Sequence, residues 1–121
     1  MDEAHDLSVH AEDDFCYLTT TGRVSGRPHT IEIWFALNKR TIYLLAGGGD
    51  SADWVKNARR DPRVTLRLGG REHGGTARVV ADPDEDALAR RLVVDKYQPR
   101  EDDDLSAWGR TALPVAVDLA P

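Results

Sequence analysis

Two short stretches hold the residue types that could bind a charged or flat ligand. In "TTTGRVSGRPHTIEIWF", Arg23, Arg27 and His29 crowd a turn that opens into a strand. Cations so close together suit an anion, and an ordinary basic hairpin tip fits the same residues. In "LAGGGDSADWVKN", Gly47, Gly48 and Gly49 stand between an apolar run and a helix carrying Trp54. Glycines let a ligand approach the backbone closely, and free N–H groups at a helix start attract anions. A flexible turn explains that stretch equally well, because its glycine spacing fits neither a Walker A loop nor a dinucleotide fingerprint. Asp50 and Asp53 would repel a phosphate there unless they point away.

Other chemistry-bearing residues have plainer explanations. Cys16 lies mid-strand and reads as a buried core residue. His5, His10, His29 and His73 show no zinc-ligand spacing, so no metal site is expected. Asp82, Asp84, Glu85 and Asp86 read as helix-capping acids, and Arg59, Arg60 and Arg63 as a solvated helix end. No acid–base pair or nucleophile stands out as catalytic.

The elements that must position these residues follow from periodicity. Phe15–Thr21 is rich in β-branched and aromatic residues and predicts a strand. His29–Leu37 alternates, with Ile31, Ile33, Phe35 and Leu37 on one face and Trp34 on the other. Thr41–Gly47 should pair with it as an antiparallel hairpin across Asn38–Arg40. Ser51 is placed as the cap of a short helix that ends before Pro62. "RVTLRL" and "TARVVA" predict two more strands, with Gly69–Gly75 as the loop between them. Asp82 should cap a second helix with Pro83 in its first turn. Ala112–Leu119 is the final strand, and Pro114 suggests a sheet edge. About six strands and two or three helices predict an α+β fold, a small antiparallel split β-barrel with flanking helices.

The 121 residues suit one domain, with Met1–Asp14 expected to be flexible and residues 15–121 to form the barrel. A net charge of −5 with scattered arginines argues against nucleic acid. A single cysteine, an acidic N-terminus and the lack of an apolar run predict a cytoplasmic chain without a membrane span. Arginine exceeds lysine by 13 to 3, which hints at a GC-rich, actinobacterial-like genome.

Taken together, the two stretches resemble the split β-barrel flavin and deazaflavin-dependent reductases, a superfamily that includes pyridoxamine-phosphate oxidases. The basic stretch is similar to the "TTxGxxSGxxRxxPL" opening of the deazaflavin-dependent nitroreductase and quinone-reductase branch. The glycine stretch is similar to that branch's "ASxGGxxxxPxWYxNLxxNPxV". The resemblance implies a reduced deazaflavin, coenzyme F-420, that passes a hydride to a quinone, enone or nitroaromatic. It implies cofactor contacts at Arg23, Arg27 and His29 for the anionic tail, and at Ile33, Trp34, Ala46, Gly47, Gly48, Gly49 and Trp54 for the ring. The chemistry would sit on the cofactor rather than on side chains. This chain has Val24 where the branch often has lysine, Glu32 where it has proline, and a loop about two residues shorter before Trp54. FMN in place of F-420, or a non-catalytic flavin- or tetrapyrrole-binding protein, is the alternative. A small-molecule acceptor and a homodimer are the expected partners.

Overall fold

A computed structural model describes residues 7–121. Seven strands form one antiparallel sheet with three helices against it. In chain order these are β1 (Cys16–Thr21), β2 (Pro28–Ile33), β3 (Ala36–Asn38), β4 (Thr41–Ala46), α1 (Asp53–Arg60), β5 (Arg63–Leu68), β6 (Arg71–Val79), α2 (Pro83–Tyr97), α3 (Ser106–Thr111) and β7 (Leu113–Leu119). The sheet order is β2-β1-β5-β6-β7-β4-β3. Its two edges, β2 and β3, are consecutive in the chain and separated only by Trp34 and Phe35, so the sheet must curl to bring them together.

That separation corrects the expectation from sequence, in which His29–Leu37 is one strand paired with the next. The alternation is real, since Ile31, Ile33 and Leu37 pack against the barrel core that buries Phe35. However, β2 pairs with β1, and only β3 pairs with β4. The ladder breaks because α2 takes over the backbone groups of Phe35. Its N–H donates to the Tyr97 hydroxyl at 3.1 Å, and its carbonyl accepts from Lys96 Nζ at 3.1 Å. Those bonds replace the sheet partners that a buried backbone requires. Burial, with Arg100 nearby, lowers the Lys96 ammonium to about 8.

The remaining differences have local causes. Gly69 and Gly70 both adopt positive φ, 59° and 79°, which permits a two-residue hairpin turn, so residues 71–75 continue β6 instead of forming a loop. Ser51 does not cap α1. It belongs to a 3-10 turn, Gly49–Ser51, and the cap position is Ala52. Asp82 caps α2 as expected, accepting from the Glu85 N–H at 2.9 Å. Pro114 does not mark an edge. β7 lies between β6 and β4, and the missing N–H falls at the second residue of the strand, where the Pro114 carbonyl still accepts from Val80. Helix α3 had no periodic signal, being only six residues long.

Two apolar cores result. One fills the barrel, with Cys16, Leu18, Phe35, Leu44, Leu66 and Val117 among its buried residues. Burial raises the Cys16 thiol to about 12, as suits an inert core cysteine. The other lies between the sheet and α2, around Tyr43, Val93 and Tyr97. The segment expected to be frayed lies partly outside the described residues, His5 included. From residue 7 onward it is tied down: Leu7 is buried, and the Asp14 carbonyl accepts from Tyr97 at 2.7 Å.

Candidate functional site

The turn between β1 and β2 stands against α1, and a groove of about 520 Å³ lies between them. Its walls include Thr20, Arg23, His29, Ile31 and Trp54. The strand register explains the arrangement: His29 pairs across from Thr20 at the end of β1, and Ile31 follows two residues later on the same face. A side chain at Gly22 would collide with the His29 ring at 2.7 Å, so the imidazole lies over bare backbone.

Asn57, only 4% exposed, fixes the turn to the helix. Its Oδ1 accepts from the Arg23 N–H at 3.1 Å and from Arg23 Nη1 at 2.9 Å, and its Nδ2 donates to Thr20 Oγ1 at 3.3 Å. Arg23 Nη2 also donates to Asp53 Oδ1 at 3.1 Å. Arg23 is therefore engaged by α1. Arg27 is different: its backbone bonds within the turn, but its guanidinium has no partner among the described residues. The N–H groups of Val24 and Ser25 likewise have no partner among the described residues. Val24, at the tip, is 94% exposed. The turn thus offers an unpaired cation and free backbone donors beside an apolar wall, a combination that suits a ligand with a flat ring and an anionic tail.

The structure distributes the ten expected cofactor residues over four places. Arg23, His29 and Trp54 line the groove, with Arg27 in the turn beside it. Ile33 continues the face of Ile31 but packs against the barrel core. Trp34 is not in the groove. It lies on the opposite face, stacked on Tyr97 with centroids 4.3 Å apart and edge-on to Trp108 at 5.7 Å. Alternation put it on that face, and α2 covers the face. Ala46 is a core residue, and Gly47, Gly48 and Gly49 lead from β4 into α1 without lining the groove. Gly47 instead faces Trp108, whose Nε1 would stand 3.2 Å from a side-chain carbon there. Asp50, the puzzle of that stretch, pairs with Arg59.

Sequence reasoning did not single out Asn57, Thr20, Asp53 or Trp108 as functional. Asn57 was present in the Trp-x-x-Asn spacing, and a lone amide between the apolar Val55 and Ala58 of a short helix was the signal. Trp108 gave none beyond its aromatic character.

No helix among the described residues is long and apolar enough to cross a membrane. Among solved structures, the chain is similar to a conserved hypothetical protein from Mycobacterium tuberculosis (22% identity, all of this chain and 82% of that one, TM-score 0.76). It is also similar to an F420-H2 dependent reductase, FDR-A (18% identity, 87% and 94% covered, TM-score 0.71). A third is a putative pyridoxamine 5'-phosphate oxidase from Listeria innocua (17% identity, 98% and 94% covered, TM-score 0.73). At these identities the likeness establishes the split-barrel fold. No curated protein matches the chain in sequence. The profile of the F420H(2)-dependent quinone reductase family matches residues 6–120. The chain therefore belongs to the F420H(2)-dependent quinone reductase family, as an oxidoreductase whose cofactor is coenzyme F-420.

Proposed function

We propose that the groove between the β1–β2 turn and α1 binds F-420, with the ring against Ile31 and Trp54 and the anionic tail toward Arg23, Arg27 and His29. The juxtaposition of an unpaired Arg27 with a groove of about 520 Å³ carries this reading. That volume is within the usual range for cofactor sites, roughly 300–1,000 Å³. Trp54 is half-buried against the barrel core, so it offers a fixed aromatic wall. When bound, reduced F-420 supplies a hydride from C5, which together with a proton converts a quinone into its hydroquinone.

The chain's own residues bind, orient and exclude water. Asn57 holds the turn at a set distance from α1, and Thr20 completes that contact. The free N–H groups of Val24 and Ser25 would meet anionic oxygens. The proton that completes the hydroquinone can come from solvent, so the reading assigns no side chain a proton-transfer role. A quinone is the first acceptor proposed, on the family's activity; an enone or nitroaromatic shares the electron-poor character.

We also propose a homodimer that uses the outer face of β2, β1, β5 and β6. Tyr17, Thr19, Thr30 and Arg67 point outward there, and the long helix α2 packs elsewhere, mainly on β4 and β3. A reducing, cytoplasmic setting suits the buried free thiol of Cys16.

The test is titration of purified protein with F-420 and, separately, FMN, followed by cofactor and tryptophan fluorescence. F-420 should bind and its reduced form should be oxidised by a quinone. Tight binding of FMN without F-420 would overturn the assignment of this groove. Sedimentation tests the dimer, and a monomer at all concentrations overturns it.

A further inference from the structure

We infer that Asp53 is a built-in counter-charge for Arg23, which a bound anion must displace, and that it sets how tightly the groove holds an anionic tail. The inference rests on the proposed placement of the tail at the β1–β2 turn. Arg23 has three partners on α1. Asn57 Oδ1 and the Asp53 carbonyl accept from Nη1, at 2.9 and 3.4 Å, and the Asp53 carboxylate accepts from Nη2 at 3.1 Å. The first two are neutral and anchored in the helix. Only the carboxylate carries charge, and its side chain is 85% exposed.

Asp53 also lines the groove that Arg23 and His29 line, so an anion reaching Arg23 arrives beside a like charge. An exposed ion pair holds its partners weakly, so the carboxylate can swing into solvent while Asn57 keeps the guanidinium in place. The cation is thus positioned before the ligand arrives, yet part of its attraction is cancelled until Asp53 leaves. Two like charges about 4 Å apart in water shift an equilibrium about fivefold.

Such a device suits a carrier that is replaced at every turnover. Oxidised F-420 must leave before reduced F-420 can enter, and affinity differences at a given interface lie mostly in the dissociation rate. Asp53 would shorten the residence of the tail without altering the wall that receives the ring.

The test compares wild type, Asp53→Asn, Asp53→Glu, Asp50→Asn, Arg23→Ala and Arg27→Ala. Each is titrated with oxidised F-420 and with 5-deazariboflavin, which has a related deazaflavin ring but no anionic tail, by fluorescence at low and high salt. Asp50 is a near neighbour of Asp53 in sequence, but it pairs with Arg59 outside the groove, so its variant has the same net charge as Asp53→Asn. Asp53→Asn should bind F-420 about fivefold more tightly at low salt, with the gain gone near 1 M salt, where screening is within about 3 Å. Asp53→Glu should behave like wild type, and 5-deazariboflavin should not distinguish any of the aspartate variants.

The inference is overturned if Asp53→Asn binds F-420 no more tightly than wild type while Arg23→Ala and Arg27→Ala bind it less tightly. It is also overturned if Asp50→Asn shows the same gain, or if the gain extends to 5-deazariboflavin. If neither arginine variant changes F-420 binding, the tail is elsewhere, and the placement fails together with the inference.

Discussion

The segment from Pro28 to Phe35 has two ends, and the fold treats them differently. At the Trp34–Phe35 end, the polar groups are answered by α2. Tyr97 and Lys96 hold the Phe35 backbone, and Trp34 stacks on Tyr97. Nearby, Arg78 joins Glu85 to Asp118, while the Tyr43 hydroxyl donates to Glu85 at 2.7 Å. At the other end, the turn that leads into Pro28 has Val24 fully in solvent, Arg27 without a partner among the described residues and a groove against α1. Stability is concentrated where the sheet edges meet under α2. Binding capacity is left where the turn and α1 are joined through Asn57 alone on the buried side. Substitutions at the first end should therefore unfold the protein without a selective effect on the cofactor, and substitutions at the second should do the reverse.

The strongest test of this division is Phe35→Ala. Phe35 is completely buried in the barrel core, with Lys96 Nζ 3.6 Å from the ring centroid. Removing a buried phenyl group costs about 3–5 kcal/mol through lost transfer energy and the cavity left behind. Chemical denaturation should show that loss, and F-420 affinity of the fraction still folded should equal that of wild type. A weakened affinity would mean that the two ends are coupled.

Tyr97→Phe follows. It keeps the ring on Trp34 but strands the Phe35 N–H and the Asp14 carbonyl, both of which the hydroxyl satisfies. An unsatisfied buried group costs about 1–3 kcal/mol, so the midpoint of unfolding should fall with the denaturant slope unchanged. Burial raises the phenol to about 12, so this bond persists across the ordinary pH range.

Acid gives a smaller effect at the same end. The Arg78 guanidinium, with help from Tyr43, holds the Glu85 carboxyl at about 2, against an ordinary value of 4.5. Its folded-state value is depressed, so the stabilisation is fully present above about pH 4.5 and is lost as pH falls toward about 2. The pair is partly solvated, which limits the contribution to on the order of 1 kcal/mol. Glu85→Gln should lower stability at neutral pH and flatten the stability profile below about pH 4.5. An unchanged profile would show that Glu85 is not the group whose protonation loosens α2.

These residues also show what could be read before the structure. The α2 cap at Asp82, the existence of β5 and β7, and the core role of Cys16 all depend on local residue types and spacing, and each was legible. The break at Phe35 was not, because its cause is Tyr97, 62 positions away. Alternation runs unbroken through Trp34 and Phe35, and periodicity cannot report which partner a backbone N–H will find. The site divides in the same way. Arg23, His29 and Trp54 were recognised by type and motif, and they do meet around one groove. Trp34 was recognised by the same reasoning and does not, because the deciding fact is the aromatic stack with α2. The engagement of Arg23 by Asn57 and Asp53 was equally hidden, since it joins the turn to a helix 30 residues or more downstream.

At the groove, Trp54→Leu should leave folding nearly intact and weaken F-420 about tenfold, in line with the ~0.5–1.5 kcal/mol an aromatic pair contributes beyond burial. Loss of stability with unchanged binding would make Trp54 a core residue only.

Arg27→Ala should have the smallest effect and separates the two ends most cleanly. Arg27 is exposed and its side chain makes no hydrogen bond or ion pair among the described residues, so its removal should leave the melting temperature unchanged. It should weaken F-420 about threefold at low salt and have no effect near 1 M salt, because exposed charges act through a screened field. The tail-less 5-deazariboflavin should bind the variant and the wild type equally. A salt-independent loss would point to a direct packing contact by the arginine stem, and no loss at low salt would remove the anionic tail from the turn. Either result would leave the groove with its apolar wall and require another account of why an unpaired guanidinium stands beside it.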